Sequence, residues 1–289
     1  TLSAGLTYNG DVKVYYASDK AGTDKVEITN NFSITPSGNK ITVTCENLKT
    51  VTGVTSDKYI IVEYTATLNS SAEIGLPGNT NEVYLEFSNN PNADGDGETG
   101  NTPTDKVIVF TYELDTIKVD GEDNKTKLPN AEFKLKNSEG KWVTVDSAGK
   151  VTGWVDDESD GTTLKSDAQG LFKVIGLDDG IYYLKETKAP DGYNELKDEI
   201  KIVITASTSN GQEWDGTPAN ALIKLDVTAD GKSGTGNTDT GIAEIKVENN
   251  KGATLPSTGG IGTTIFYVVG GILVIGAAVL LITRRRMNK

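Results

Sequence analysis

The chain has 289 residues, a formal charge of −13 and no histidine. Histidine triads, histidine-ligated zinc and histidine general bases are therefore excluded. The acidic balance, with no large basic block before the last residues, argues against nucleic acid or an anionic membrane surface as a partner. The one cysteine, Cys45, closes no internal disulfide, so a mechanically stable fold would need a different staple.

From Thr1 to Leu255 the pattern is one of short strands punctuated by Gly, Asn, Asp and Ser. Strands are predicted at Lys40–Cys45, Tyr59–Leu68, Glu82–Phe87 and Lys106–Tyr112. More follow at Ala131–Leu135, Gly180–Glu186, Glu199–Ile204 and Ala243–Val247. Ile41, Val43 and Cys45 share a face, which makes Cys45 a small core residue and not a nucleophile. Val83, Leu85 and Phe87 alternate with Tyr84 and Glu86, the period of a half-buried strand. Asn89–Asp105 reads as a long hairpin loop. Within it, Asn92 to Glu98 matches the front half of a calcium loop, but Pro103 stands where the bidentate Glu belongs, so no metal site is expected.

The fold class expected is all-β: two tandem Ig-like β-sandwich domains, the first one N-terminally truncated, plus a C-terminal transmembrane helix. The boundaries fall at residues 1–113, 114–250 and 251–289. Ser207–Gly241 reads as an insertion in the second domain around a short strand, Ala221–Val227.

The tail has three parts in order: Leu255-Pro256-Ser257-Thr258-Gly259, an apolar run from about Ile261 to Ile282, and Arg284-Arg285-Arg286. The run is long enough to cross a bilayer as a helix, and the arginines set its cytoplasmic side. The order resembles the cell-wall sorting signal of Gram-positive surface proteins. The resemblance implies brief membrane anchoring, then cleavage by a sortase between Thr258 and Gly259 and transfer of the Thr258 carboxyl to an amine. A glycosylphosphatidylinositol signal lacks the trailing arginines. A sorting signal serves only an exported chain, so a signal peptide and further residues are expected upstream of Thr1. Only a few residues separate the last strand from the sorting motif. A protein anchored singly to peptidoglycan usually needs a long Pro- or Ser-rich spacer; a subunit built into a fibre does not.

The run from Gly180 to Tyr193 carries chemistry. On a strand, Tyr182, Leu184 and Glu186 share one face, and a carboxylate among core residues must be neutralised or hydrogen-bonded. The pattern alone also suits a charge at the strand's end. The stretch Glu186-Thr187-Lys188-Ala189-Pro190-Asp191-Gly192-Tyr193 resembles the E-box of Cna-B (SpaA-type) domains. Leu128 to Leu135 is similar to that family's L-x-G-A-x-F-x-L segment, with Asn130 where glycine is usual. Thr116 to Asp120 resembles its first strand and Ile245 to Asn249 its last. The resemblance implies an internal Lys–Asn isopeptide bond, with Lys118 as nucleophile, Asn249 as electrophile and Glu186 as catalytic acid. Lys125 and Asn250 are the nearest alternatives. Lys118 is in phase with Leu114, and Asn249 with Ile245 and Val247, as inward-facing residues should be.

Those residue types suit the reaction. An ammonium cannot attack an amide, and burial lowers a lysine pKa while raising that of a carboxylic acid. A neutral acid would polarise the Asn carbonyl and shuttle protons while ammonia leaves. Each molecule reacts once on itself, so this is no enzyme in the turnover sense, and no cofactor is expected.

In the first domain, Val83 to Pro91 resembles the "YSNNP" strand of the isopeptide-forming domain of fimbrial backbone subunits, and Tyr64 to Asn69 and Gly5 to Tyr8 are similar too. Asn89 would be the linking residue. The family's lysine and acid for this domain would precede Thr1, with Glu63 a less favoured substitute acid, so no bond is expected there. The whole resembles an LPXTG-anchored fimbrial shaft subunit. The partners this implies are sortase, neighbouring pilin subunits and peptidoglycan, with a host ligand left open and no nucleic acid. The alternative is a wall-anchored surface adhesin or minor pilin whose ligand-binding region lies upstream.

Overall fold

Alternating apolar and polar residues, with Gly or Asn at the turns, pair into β-structure through the described residues. The computed structural model describes residues 1–89, 98–209 and 217–252, and the helices among them are single 3-10 turns. Thr1–Asn249 forms one compact unit and Asn250–Lys289 another. Residues 92–97 of the calcium-like loop, the sorting pentapeptide, the apolar run and the three arginines lie outside the described residues. Among the described residues no helix is long and apolar enough to cross a membrane.

Within Thr1–Asn249 the apolar side chains gather in two clusters. The smaller has Val12, Val14, Ile28 and Val51 at its centre, with Ile41, Val43 and Cys45 half-buried against it. Cys45 therefore has the packing role its phase implied. Around it, Lys13–Ala17 lies between Val26–Glu27 and Tyr59–Glu63, and Leu6–Tyr8 pairs with Ala66–Leu68.

Four expectations for this region are corrected. Tyr59–Leu68 is not continuous: the Asp11 carboxylate binds the Thr65 amide at 2.9 Å and its hydroxyl at 2.6 Å, and the strand changes partner there. Glu82–Phe87 is likewise two pieces, Asn79–Val83 on Asp105–Val109 and Glu86–Ser88 on Thr99–Asn101. The second pairing puts a strand inside what read as a loop. Val83, Leu85 and Phe87 stay 59%, 61% and 46% exposed, because no layer of the described residues covers them.

The larger cluster fills a sandwich. One sheet has four strands in the order Leu171–Leu177, Tyr112–Asp120, Ile242–Asn249 and Thr235–Asn237. The facing sheet runs Val151–Val155, Trp142–Val145, Glu132–Asn137, Gly180–Lys188, Ile200–Thr208, Leu222–Ala229 and Lys232–Ser233, with Leu164–Lys165 beside Glu132–Asn137. Leu114, Val174, Ala243 and Ile245 from the first sheet meet Phe133, Leu135, Leu184, Ile202 and Ile204 from the second. Phe133 stacks on Phe172 with ring centres 5.0 Å apart.

Two further boundaries shift. The Lys106–Tyr112 strand ends at Val109, and Tyr112 opens the next, since Phe110 is already buried in the larger core and the Thr111 hydroxyl donates to the Leu177 carbonyl at 2.9 Å. The Ser207–Gly241 stretch is no mere insertion. Leu222–Ala229 pairs along Ile200–Thr208 and buries Leu222, Leu225, Val227 and Ala229 in the core.

The chain end of the sandwich closes against its beginning: Tyr112–Asp120 and Ile242–Asn249 run parallel, with Lys118 opposite Val247 and Asp120 opposite Asn249. Beside this pair, Gly75 and Gly241 touch backbone to backbone, both at positive φ (67° and 68°). A Cβ on either would sit 2.6 Å from the other's Cα, so only glycine fits at both positions.

Candidate functional site

Strand phase puts Lys118 under the sheet. It follows Leu114 and Thr116 on the inward face of Tyr112–Asp120, and it is fully buried. Asn249 follows Ile245 and Val247 inward on the neighbouring strand and is equally buried. Glu186 comes from the opposite sheet, after Tyr182 and Leu184, and is 3% exposed. Three polar side chains 131 residues apart at the extremes thus meet in one enclosed space.

The Lys118 Nζ donates to Asn249 Oδ1 and to the Val247 carbonyl at 3.3 Å, and lies 3.6 Å from Glu186 Oε1. The Phe133 ring centre is 5.7 Å away and closes the apolar side. Asn249 Nδ2 donates to Glu186 Oε2 at 2.9 Å and to the Asn194 carbonyl at 2.8 Å. The Leu196 amide donates to the same Glu186 oxygen at 2.7 Å, while Oε1 accepts no hydrogen bond among the described residues. Burial pulls the Lys118 pKa down to about 8, against the opposing pull of the Glu186 charge. At neutral pH the amine is thus far closer to its nucleophilic form than a surface lysine. The acid faces the amide nitrogen, which would leave, and not the carbonyl oxygen that the sequence argument had it polarise.

The rivals separate clearly. Lys125 and Asn250 are exposed. Asn89 is exposed at the end of its strand, its amide bonded to the Glu98 carbonyl. Glu63 pairs with Lys25 at 2.6 Å on the surface, both roughly half-exposed. Asn130, standing where glycine is usual, has φ 63°, the left-handed conformation that Asn tolerates better than most residues. The sequence reading missed Asp120, Asn194 and Leu196 as contributors. Asp120 was detectable: two residues after Lys118 on a strand, it had to share the buried face.

This geometry sits in a chain whose shape is known elsewhere. The backbone protein of the group B streptococcus pilus 2b is 30% identical, and the match covers 88% of this chain and 84% of that one with a TM-score of 0.59. The chain belongs to the family of LPXTG-anchored pilus backbone subunits. Residues 113–217 match the SpaA prealbumin-like fold domain, and residues 247–289 match the LPXTG cell wall anchor motif. The C-terminal fragment of the major pilin GBS80 of Streptococcus agalactiae shares the fold at 23% identity, over 86% of this chain and 85% of that one, with a TM-score of 0.53. The trypsin-resistant surface T6 protein of Streptococcus pyogenes serotype M6 is 27% identical in a match that covers 78% of this chain. The chain spans about half of that relative's length (48%). As a pilin of this family it is an extracellular protein attached to the cell wall.

Proposed function

We propose that this chain is a shaft subunit of a covalently polymerised surface pilus, stapled by a Lys118–Asn249 isopeptide bond that Glu186 promotes. The observation that carries the reading is the enclosed Lys118–Glu186–Asn249 cluster, which ties the first strand of the sandwich to its last directly ahead of the sorting motif. The Lys118 ammonium gives a proton to Glu186 Oε1 across 3.6 Å, a transfer favoured by the lysine's burial. The freed Nζ attacks Asn249 Cγ and forms the new C–N bond. A second proton passes from Nζ through the carboxyl to Nδ2, which already lies 2.9 Å from Glu186 Oε2. The Cγ–Nδ2 bond breaks, and ammonia leaves with the first proton as ammonium. Glu186 ends as it began. Folding holds the reactants in contact, which supplies most of the rate.

A cross-link between residues 131 apart stabilises by about 5 kcal/mol, by analogy with a disulfide. Tension entering beyond Asn249 would cross to Lys118 and leave along the Tyr112–Asp120 strand, bypassing the other strands of the sandwich. In the same reading sortase cleaves between Thr258 and Gly259. It passes the Thr258 carboxyl to an amine of a neighbouring subunit or of peptidoglycan, after brief retention in the membrane.

Two measurements test this. Wall material released enzymatically and boiled in detergent should give a ladder of very large species with antibody to residues 112–249. A single band near monomer mass would replace the shaft with a protein anchored one copy at a time. Intact mass should show the loss of one ammonia, abolished by Glu186→Ala; a full-length mass without that loss would remove the isopeptide bond.

A further inference from the structure

Beyond the strand that carries Glu186, the chain turns at Pro190–Leu196 and comes back over the open end of the buried cluster, with the Tyr193 amide bonded to the Pro190 carbonyl at 3.1 Å. Two backbone groups of this turn reach the reacting side chains. The Asn194 carbonyl accepts from Asn249 Nδ2 at 2.8 Å, and the Leu196 amide donates to Glu186 Oε2 at 2.7 Å. Between these contacts and the lysine strand stands Tyr193, whose hydroxyl donates to Asp120 Oδ2 at 2.8 Å. Asp120 is itself firmly placed. It is 3% exposed and pairs with Asn249 across the parallel strands; its Oδ1 accepts from the Glu122 amide at 2.8 Å.

The Asn194 carbonyl decides which end of the Asn249 carboxamide faces the lysine. A carbonyl oxygen can only accept, and the Glu186 Oε2 carboxylate oxygen is also an acceptor, so a flipped carboxamide would set Oδ1 against two acceptors. With the turn in place, the leaving nitrogen points at Glu186 and the carbonyl oxygen at Lys118. Without it, one of the three contacts that orient the carboxamide is lost, and only those to Lys118 and Glu186 remain to hold the near-attack arrangement.

We propose that Tyr193 is a positioning residue for the cross-linking reaction: its hydrogen bond to Asp120 fastens the Pro190–Leu196 turn to the Lys118 strand, so that the Asn194 carbonyl and the Leu196 amide hold Asn249 and Glu186 in register for attack. This rests on the isopeptide reading above and adds a device to it. Tyr193 acts through the two backbone groups that follow it in the chain, the Asn194 carbonyl and the Leu196 amide.

The test is cell-free synthesis of the full chain, with intact mass taken at timed intervals for ammonia loss and limited proteolysis of the same samples for folding. Tyr193→Phe keeps the ring and removes the tether. It should become protease-resistant as fast as Glu186→Ala does, yet lose ammonia about tenfold or more slowly than the natural chain. The defect should persist at about pH 9, where the Lys118 amine is already free, because geometry and not ionisation is impaired. Asp120→Asn and Asp120→Ala provide a matched pair: both remove the carboxylate charge, but only the Ala variant cannot bond the tyrosine hydroxyl. The Asn variant should react at least as fast as the natural chain, and the Ala variant as slowly as Tyr193→Phe. Equal rates in the natural chain and Tyr193→Phe would overturn the proposal. So would slowing that merely follows the unfolded fraction, or equal rates in the two Asp120 variants. If the natural chain itself lost no ammonia, the isopeptide reading would fall and this proposal with it.

Discussion

The 112–249 sandwich and the sheets of residues 1–109 are built from the same kind of sequence, short alternating strands with turn residues between them, yet they bury very different amounts of it. The sandwich encloses Phe133, Leu135, Leu184, Ile202 and Ile245 at 1% exposure or less. The other part centres on four small aliphatic residues and leaves Val83, Leu85, Phe87, Val107 and Val109 mostly in the open. Only the first can hold three polar side chains in a dry space, because an ammonium or carboxylate is kept from water only where apolar layers close on both sides. In the 1–109 part the corresponding polar residues, Glu63 and Asn89, sit in solvent, where neither gains unusual reactivity. The two sets of polar residues differ in enclosure, not in residue type.

The sharpest way to break the contrast is to remove the proposed staple. Lys118→Ala should abolish ammonia loss and leave Glu186 buried without its partner. The combined cost should reach or exceed about 5 kcal/mol and lower the melting of residues 112–249 by roughly 15–25 °C, read by calorimetry. The melting of residues 1–109 should hardly move. A similar fall in both parts would mean that they unfold as one.

Next in size is the pH response of Asp115, on the outer face of the lysine strand. Burial, helped by neighbouring Glu113, pushes its carboxyl up to about 6, although Lys173 lies 3.6 Å away. An acid whose folded pKa is raised costs nothing below the unfolded value of about 4, where both states are neutral. Stability then falls as pH rises from about 4 to about 6, and the penalty is constant above that. Asp115→Asn should therefore stabilise by up to about 3 kcal/mol at pH 7 and by almost nothing at pH 4, seen in denaturant titrations at the two values. Equal effects at both would show that the carboxylate is not the strained group.

Gly241→Ala probes the join between the two parts. The new methyl would collide with Gly75, and the backbone there has a φ of 68°, so about 2 kcal/mol should be lost. Slower amide exchange at Gly75 and Leu76 than at other loop positions in the natural chain, lost in the variant, would locate the effect. The smallest change is expected at Phe87→Ser. With the ring 46% exposed and nothing of the described residues over it, stability should stay within about 0.5 kcal/mol. A loss of several kcal/mol would mean that this face is covered in the molecule tested.

How far the site was legible is best seen residue by residue. Lys118, Glu186 and Asn249 were picked out by the resemblance to Cna-B (SpaA-type) domains; strand phase with Leu114, Leu184 and Val247 agreed with inward orientation but left Glu186 equally a charge at the strand's end. Asp120 obeyed the same rule and was overlooked. The two backbone contacts of Asn194 and Leu196 had no signature at all, since a carbonyl and an amide are present at nearly every position. Periodicity misled at Val83, Leu85 and Phe87: it reports which residues share a face, and says nothing of whether another layer covers that face.

Composition and local pattern alone determined that the described part is built of short strands, that the sequence offers no histidine and only one cysteine, and which residues share a strand face. These follow from side-chain type and from the two-residue period of a strand, both local properties. Only the tertiary structure decided that the first and last strands of the sandwich lie side by side in parallel, that Glu186 faces the Asn249 amide nitrogen, that Leu222–Ala229 is a core strand, and that Gly75 meets Gly241. Each is a contact between residues far apart in the chain, set by which sheets can close over a common core, and no short stretch of sequence contains that information.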